Sequence, residues 1–279
     1  MAVHFKKLGA SRNYREESGE FLCDGMKLLE EAVGSGVVIP AILSATPIPF
    51  PLSLDTRVFY ADRTLIDSLS PLKNAQDILF SCKMRDRETG ETTPSASRTP
   101  LPRGEFGRET GDARVFQGML DKGGTHILLD NVQDPGNVGA IIRSASAFSI
   151  KSVVLYGACA DAYNPKTIRA SMGAIFRQKI CKMDLDMLAE ARNGGVKFIG
   201  SALCGDCRAI FNVGFENAVV AIGSEGSGLT AEIHALCSEL VTIPIADGCD
   251  SLNAAVAAAI IMWEASAAKQ RREETGNRE

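Results

Sequence analysis

Between residues 126 and 243 five short apolar runs recur, at 126–129, 152–156, 198–202, 218–222 and 241–243, with helical patterns between most of them. Such runs, apolar throughout rather than alternating, suit strands buried on both faces. Parallel strands need a crossover between them, usually a helix. The pattern therefore restricts this part of the chain to an α/β architecture around a parallel sheet. Periodicity alone gives a doubly wound sheet, and in such sheets ligands bind at the loops that follow the strands.

The chain has 279 residues, enough for two ordinary domains. Residues 84–114 are rich in Thr, Pro, Gly and charge, with Phe106 their single aromatic. So little apolar surface cannot offset the entropy of ordering, which reads as a flexible linker or long loop. It divides an N-terminal region, 1–83, from a C-terminal region, 115–279. In the first, Met26, Leu28, Leu29, Ala32 and Val33 fall near one helical face. Strands are expected at 41–44 and 58–60 and a further helix at 64–69. This small α/β unit shows no catalytic constellation.

Eight cysteines are scattered along the chain. Cys204 and Cys207 have C-x-x-C spacing, but no second pair completes a zinc site, and free thiols are expected. His4, His126 and His234 lie far apart, so no metal is expected. The formal charge of −4 argues against binding nucleic acid by bulk electrostatics, though not against a local basic contact. No apolar run approaches the roughly 20 residues of a membrane-spanning helix, and the first residues lack a signal-peptide pattern. A cytoplasmic protein without membrane association is the expectation.

Three loops following strands carry the polar residues of interest. The first, 130–137, leads into a helix expected at 138–148, with Asn137 as its cap. Val138, Ile141, Ile142 and Ala145 mark the core face, and Arg143 lies about 200° around the helix from Ile141. An outward arginine is either functional or merely solvated. Gly139 in mid-helix costs roughly 1 kcal/mol against alanine, which suggests that something needs the space. The second loop, 223–228, is Gly-Ser-Glu-Gly-Ser-Gly before a helix at 229–236. It is neither a Walker A sequence nor a G-x-G-x-x-G fingerprint. It is either a ligand cradle or an ordinary glycine turn, and Glu225 would repel a phosphate. The third, 243–253, precedes an alanine-rich helix at about 251–267 that Asp250 or Ser251 can cap. That helix packs either on the sheet or against a second copy. Capping leaves Asn253 unexplained.

These loops together resemble the three motifs of the SpoU (TrmH) family of RNA ribose 2′-O-methyltransferases. The resemblance rests on D-N-V-Q-D-P-G-N-V-G-A-I-I-R-S-A at 130–145, G-S-E-G-S-G-L at 223–229, I-P-I at 243–245 and S-L-N-A-A-V-A-A-A-I at 251–260. N-P-K-T-I-R-A-S-M-G-A-I-F at 164–176 also looks like the family. F-L-C-D-G at 21–25 stands where the family's small substrate-binding domain usually has F-x-V-E-G. The 84–114 insert is longer than the family pattern.

The resemblance implies a C-terminal trefoil-knotted methyltransferase domain of the SPOUT type, a homodimer, and S-adenosylmethionine bound in the knot. By matched position it implies cofactor contacts from Gly223, Ile243 and Leu252, with Leu203 and Ser251 nearby. Arg143, Asn137, Glu225 and Asn253 are the implied catalytic set. Arg143 acts either as a base or, since a guanidinium normally stays protonated, as a phosphate ligand and oxyanion stabiliser. The implied substrate is structured RNA, ribosomal rather than transfer RNA. The rival readings are a tRNA ribose methyltransferase, a base-nitrogen methyltransferase, a catalytically silent RNA-binding protein and a nicotinamide-dependent oxidoreductase.

Overall fold

Residues 1–84 build a four-stranded sheet in the computed structural model, which describes residues 1–84, 120, 123–246, 248 and 251–276. Its strands are β1 (Glu20–Asp24), β2 (Ala41–Ser44), β3 (Arg57–Tyr60) and β4 (Ile78–Lys83), in the order β1-β4-β2-β3. β4 runs antiparallel to both neighbours, and β2 and β3 are parallel. Helices α1 (Ala2–Ala10), α2 (Arg12–Ser18), α3 (Met26–Gly34) and α4 (Arg63–Leu69) accompany them. The expected α3, β2, β3 and α4 lie within about a residue of their predicted places. The strands β1 and β4 were not anticipated, nor were the first two helices.

This sheet shares a buried seam with the C-terminal region. The side chain of Arg15 is only 3% exposed and pairs with Asp161 at 2.6 Å, also donating to the Leu8 carbonyl at 2.7 Å. Phe21 packs on Tyr163 and Phe176, with centroids 4.8 and 6.3 Å apart. Of the segment read as a linker, only Met84 is among the described residues.

The C-terminal region is a seven-stranded sheet, parallel throughout. Its strands are β5 (Thr125–Asp130), β6 (Ser152–Tyr156), β7 (Lys179–Lys182), β8 (Lys197–Ser201), β9 (Arg208–Ala209), β10 (Ala218–Ile222) and β11 (Glu239–Thr242). They lie in the order β7-β6-β5-β10-β8-β11-β9. The chain leaves β5 toward one edge through β6 and β7, then crosses to the other side at β8. β10 comes later in the chain and lies between β5 and β8. The central strands are buried on both faces, as their unbroken apolar text requires. Ile127, Leu129, Val220 and Ile222 face one core, and Leu128, Val219 and Ala221 face the other.

The helices of this region are α5 (Pro135–Ala147), α6 (Pro165–Ser171), α7 (Leu185–Asn193), α8 (Ala231–Leu236) and α9 (Ala254–Gly276). Three of them start away from their expected positions. α5 begins at Pro135, capped by Asp134, whose carboxylate accepts from the Asn137 amide N–H at 2.8 Å. Proline at the first helical position fits, because the N–H it lacks would have had no partner there. Asn137 is therefore not the cap. α8 starts two residues later than expected, behind a Thr230 cap. α9 starts at Ala254, with Asn253 Oδ1 accepting from Ala255 and Val256 N–H at 3.0 and 3.3 Å. Asn253 thus caps α9 in place of Ser251, and Asp250 lies outside the described residues.

Gly139 is explained by packing. A Cβ there would meet the Thr167 carbonyl oxygen and stand 2.6 Å from the Ala170 Cβ and 3.1 Å from the Ser171 amide nitrogen, so α5 and α6 are in near-backbone contact. Among the described residues no helix is long and apolar enough to cross a membrane. Cys204 and Cys207 are joined as a disulfide, against the expectation of free thiols. The turn between them brings their Cα atoms to 5.3 Å, inside the range a disulfide spans.

Candidate active site

Parallel strands end on one edge of a sheet, so the loops after β5, β8, β10 and β11 gather there however far apart they lie in sequence. The side chain of Asp130, fully buried at the end of β5, ties two of them together. It accepts from Thr230 N–H at 2.6 Å and from the Asn131 side-chain amide at 2.9 Å. That anchors the start of α8 to the first loop. An acid closing an apolar strand was the visible signal for this residue, to which sequence reasoning assigned no role.

Glu225 is the point of convergence. Its Oε1 accepts from Asn137 Nδ2 at 2.8 Å, from Asn253 Nδ2 at 2.6 Å and from the Ala254 backbone N–H at 3.3 Å. Asn253 Nδ2 also donates to Asn137 Oδ1 at 3.1 Å. With capping left to Asp134, the Asn137 amide is free for this cluster. Asn253 does two jobs, its oxygen capping α9 and its nitrogen reaching Glu225. The carboxylate sits at the positive end of α9, where a negative charge is favoured.

Two cavities meet at this cluster. One, of about 490 Å³, is lined by Leu203, Gly223, Ile243, Ser251 and Leu252 among others, and so contains every residue expected to touch a cofactor. The other, of about 480 Å³, is a polar groove lined by Asn131, Gln133, Asp134, Asn137 and the 224–227 loop. Ser224, Glu225 and Ala254 line both. The first cavity's size suits a small ligand, and its wall is mostly apolar with a few polar groups. Gly223 is required for its shape. A Cβ there would run into the Gly228 carbonyl and stand 2.5 Å from the Leu229 nitrogen.

Arg143 stands apart. It is exposed on α5, lines neither cavity, and makes no hydrogen bond or ion pair among the described residues. The outward direction read from the helix period is what the structure has. The protomer does not bring it to Asn137, Glu225 and Asn253. Among the described residues no group of three or more His, Cys, Asp or Glu side chains is placed to hold a metal ion.

The sequence profile of the SpoU rRNA Methylase family matches residues 124–263, half of the chain. The chain belongs to this family. The match starts one residue before β5 and ends within α9, so it spans all three loops of the site. The 23S rRNA (guanosine(2553)-2′-O)-methyltransferase RlmP of Bacillus subtilis is 28% identical over 262 residues, 93% of each chain. A 23S rRNA (uridine(2479)-2′-O)-methyltransferase of Streptomyces viridochromogenes is 35% identical over 147 residues, about half of each. Among solved structures, the SpoU methyltransferase AviRb from Streptomyces viridochromogenes, in complex with the cofactor AdoMet, superposes with a TM-score of 0.73. It shares 26% identity, with 96% of this chain and 97% of that one covered. The α/β fold with its parallel sheet is thus that of SpoU methyltransferases.

Proposed function

We propose that this SpoU-family chain transfers a methyl group from S-adenosylmethionine to a ribose 2′-hydroxyl of structured ribosomal RNA, working as a homodimer in the cytoplasm. The observation that carries this reading is the meeting of a mostly apolar cavity and a polar groove at the Asn137–Glu225–Asn253 cluster. A methyl donor and an acceptor hydroxyl need such a shared wall. The names of the relatives support it: both are 23S rRNA 2′-O-methyltransferases, and one of the two matches over nearly the whole chain.

The cavity fits the cofactor on its own chemistry. Adenine needs donors, acceptors and a flat apolar wall rather than charge, and Ile243 and Leu252 offer these from backbone and side chain. Gly223, which tolerates no Cβ, keeps that end of the pocket open. When bound, S-adenosylmethionine supplies a methyl already activated by its sulfonium. The protein's share is then placement: an oxygen held at about 3 Å on the line of attack gains most of the available acceleration. Asn137, which lines the groove and is locked by Glu225 and Asn253, is set to hold the ribose edge there.

Arg143 completes the site from the partner copy. α5 packs beside α9, which exposes Val256 at 47% and Trp263 at 56% one turn-pair apart. That apolar stripe suits a second copy of the chain, and Arg143 lies exposed on the adjoining helix. From there its guanidinium binds the neighbouring phosphate and stabilises the developing oxyanion, while the hydroxyl proton leaves to water or phosphate. The placing of β10 between the earlier strands β5 and β8 supports the trefoil knot. The sheet of residues 1–83 is assigned to RNA binding.

The test is the reaction itself. Ribosomal RNA incubated with the protein and radiolabelled S-adenosylmethionine should yield label in alkali-resistant dinucleotides, because a 2′-O-methyl blocks cleavage of the following phosphodiester. Label in alkali-sensitive nucleotides would mean a base nitrogen is the acceptor. Transfer to tRNA alone would reassign the substrate.

A further inference from the structure

The cofactor pocket contains one ionisable side chain that neither the motifs nor the catalytic cluster uses. Among its described lining residues only Glu225 and His234 are ionisable. Glu225 marks the junction with the groove, whereas His234 lines the pocket alone. His234 sits in the last turn of α8, whose Ile233 and Leu236 are buried in the sheet core. That helix is pinned at its start by Thr230 and Asp130. The ring is therefore held by a rigid element, and among the described residues it makes no hydrogen bond.

S-adenosylmethionine ends in a zwitterionic amino-acid arm. Transfer into the groove would require the methyl at the junction of the two cavities, which Glu225 lines and where a positive sulfonium would be favoured. A carboxylate at that junction would be repelled by Glu225. It needs a donor elsewhere in the pocket, and the His234 imidazole offers an N–H in either tautomer. We propose that His234 binds the carboxylate of the cofactor's amino-acid arm and makes the pocket prefer the whole cofactor to its truncated thioether. This rests on the reading that the pocket holds S-adenosylmethionine.

Calorimetric titration with S-adenosylhomocysteine and with 5′-methylthioadenosine, which lacks the arm, separates the possibilities. H234A should weaken S-adenosylhomocysteine about tenfold, roughly 1.4 kcal/mol, as expected for one hydrogen bond to a charged group. It should leave 5′-methylthioadenosine unchanged. H234Q keeps an N–H at similar reach and should restore most of the loss. Equal weakening of both ligands, or undiminished S-adenosylhomocysteine binding in H234A, would overturn the assignment. If the wild-type protein binds neither ligand, the proposed function falls and this inference with it, an outcome distinct from a wild type that binds both.

Discussion

Gly223→Ala tests how the second loop shapes the site. The added methyl would stand 2.5 Å from the Leu229 nitrogen and closer still to the Gly228 carbonyl. These are backbone atoms and cannot swing aside as a side chain could. They belong to a loop closed by two hydrogen bonds, Ser224 N–H to Gly228 O at 3.1 Å and Gly228 N–H to Ser224 O at 2.9 Å. Relieving the clash means opening that closure. At about 1 kcal/mol net per bond the cost is roughly 2 kcal/mol, which lowers the melting temperature by roughly 4–8 °C in a protein of this size. The displaced Ser224 and Glu225 line both cavities, so S-adenosylhomocysteine affinity falls as well. Gly226→Ala is the control. It lies in the same loop, yet a Cβ there meets nothing within 4 Å, and its stability should stay within about 0.5 kcal/mol of wild type. Differential scanning fluorimetry with and without ligand reads both. A Gly223→Ala protein with wild-type melting and binding, or a Gly226→Ala protein damaged equally, would refute the steric reasoning.

Asn253→Ala removes both the cap of α9 and a bond to Glu225; stability should fall by about 1 kcal/mol, and methyl transfer by about a hundredfold through misplacement of the site. Activity and stability falling in proportion would point to a cap alone. Arg143→Ala should keep cofactor affinity, because Arg143 touches neither cavity, and lose methyl transfer; retained turnover would remove it from the catalytic set. Burial holds the thiols of Cys181 and Cys237 up at about 11, which leaves on the order of a thousandth as thiolate at pH 8. Alkylation of the unreduced, folded protein should therefore spare both, and mass mapping should find Cys204 linked to Cys207. Rapid labelling at any of the four contradicts that picture.

The parallel sheet and the three loops were readable because each has a local signature. The strands are unbroken apolar runs, and the loops gather Asp, Asn, Glu and Gly where those runs stop. The helix starts were less legible, since several residues compete to cap. In Asp134-Pro135-Gly136-Asn137 both ends suit a cap, and proline at the first helical position decides for Asp134. That single choice frees Asn137 for Glu225. Strand order was not legible at all. The insertion of β10 between β5 and β8 depends on contacts between residues as distant in sequence as Ala218 and Thr125. Convergence of Asn137, Glu225 and Asn253 follows from that order, so spacing alone could nominate these residues but could not join them. The Cys204–Cys207 link depends likewise on a turn that brings two positions together.

In the proposed reaction three loops on one sheet edge direct a methyl group to a single ribose oxygen. Mapping 2′-O-methyl positions in ribosomal RNA from cells lacking this gene, against the parent strain, tests it most directly. One ribose methyl should disappear, returning with the wild-type gene and not with Arg143→Ala. An unchanged ribose map, or the loss of a base methyl instead, would rule out ribose methylation by this protein.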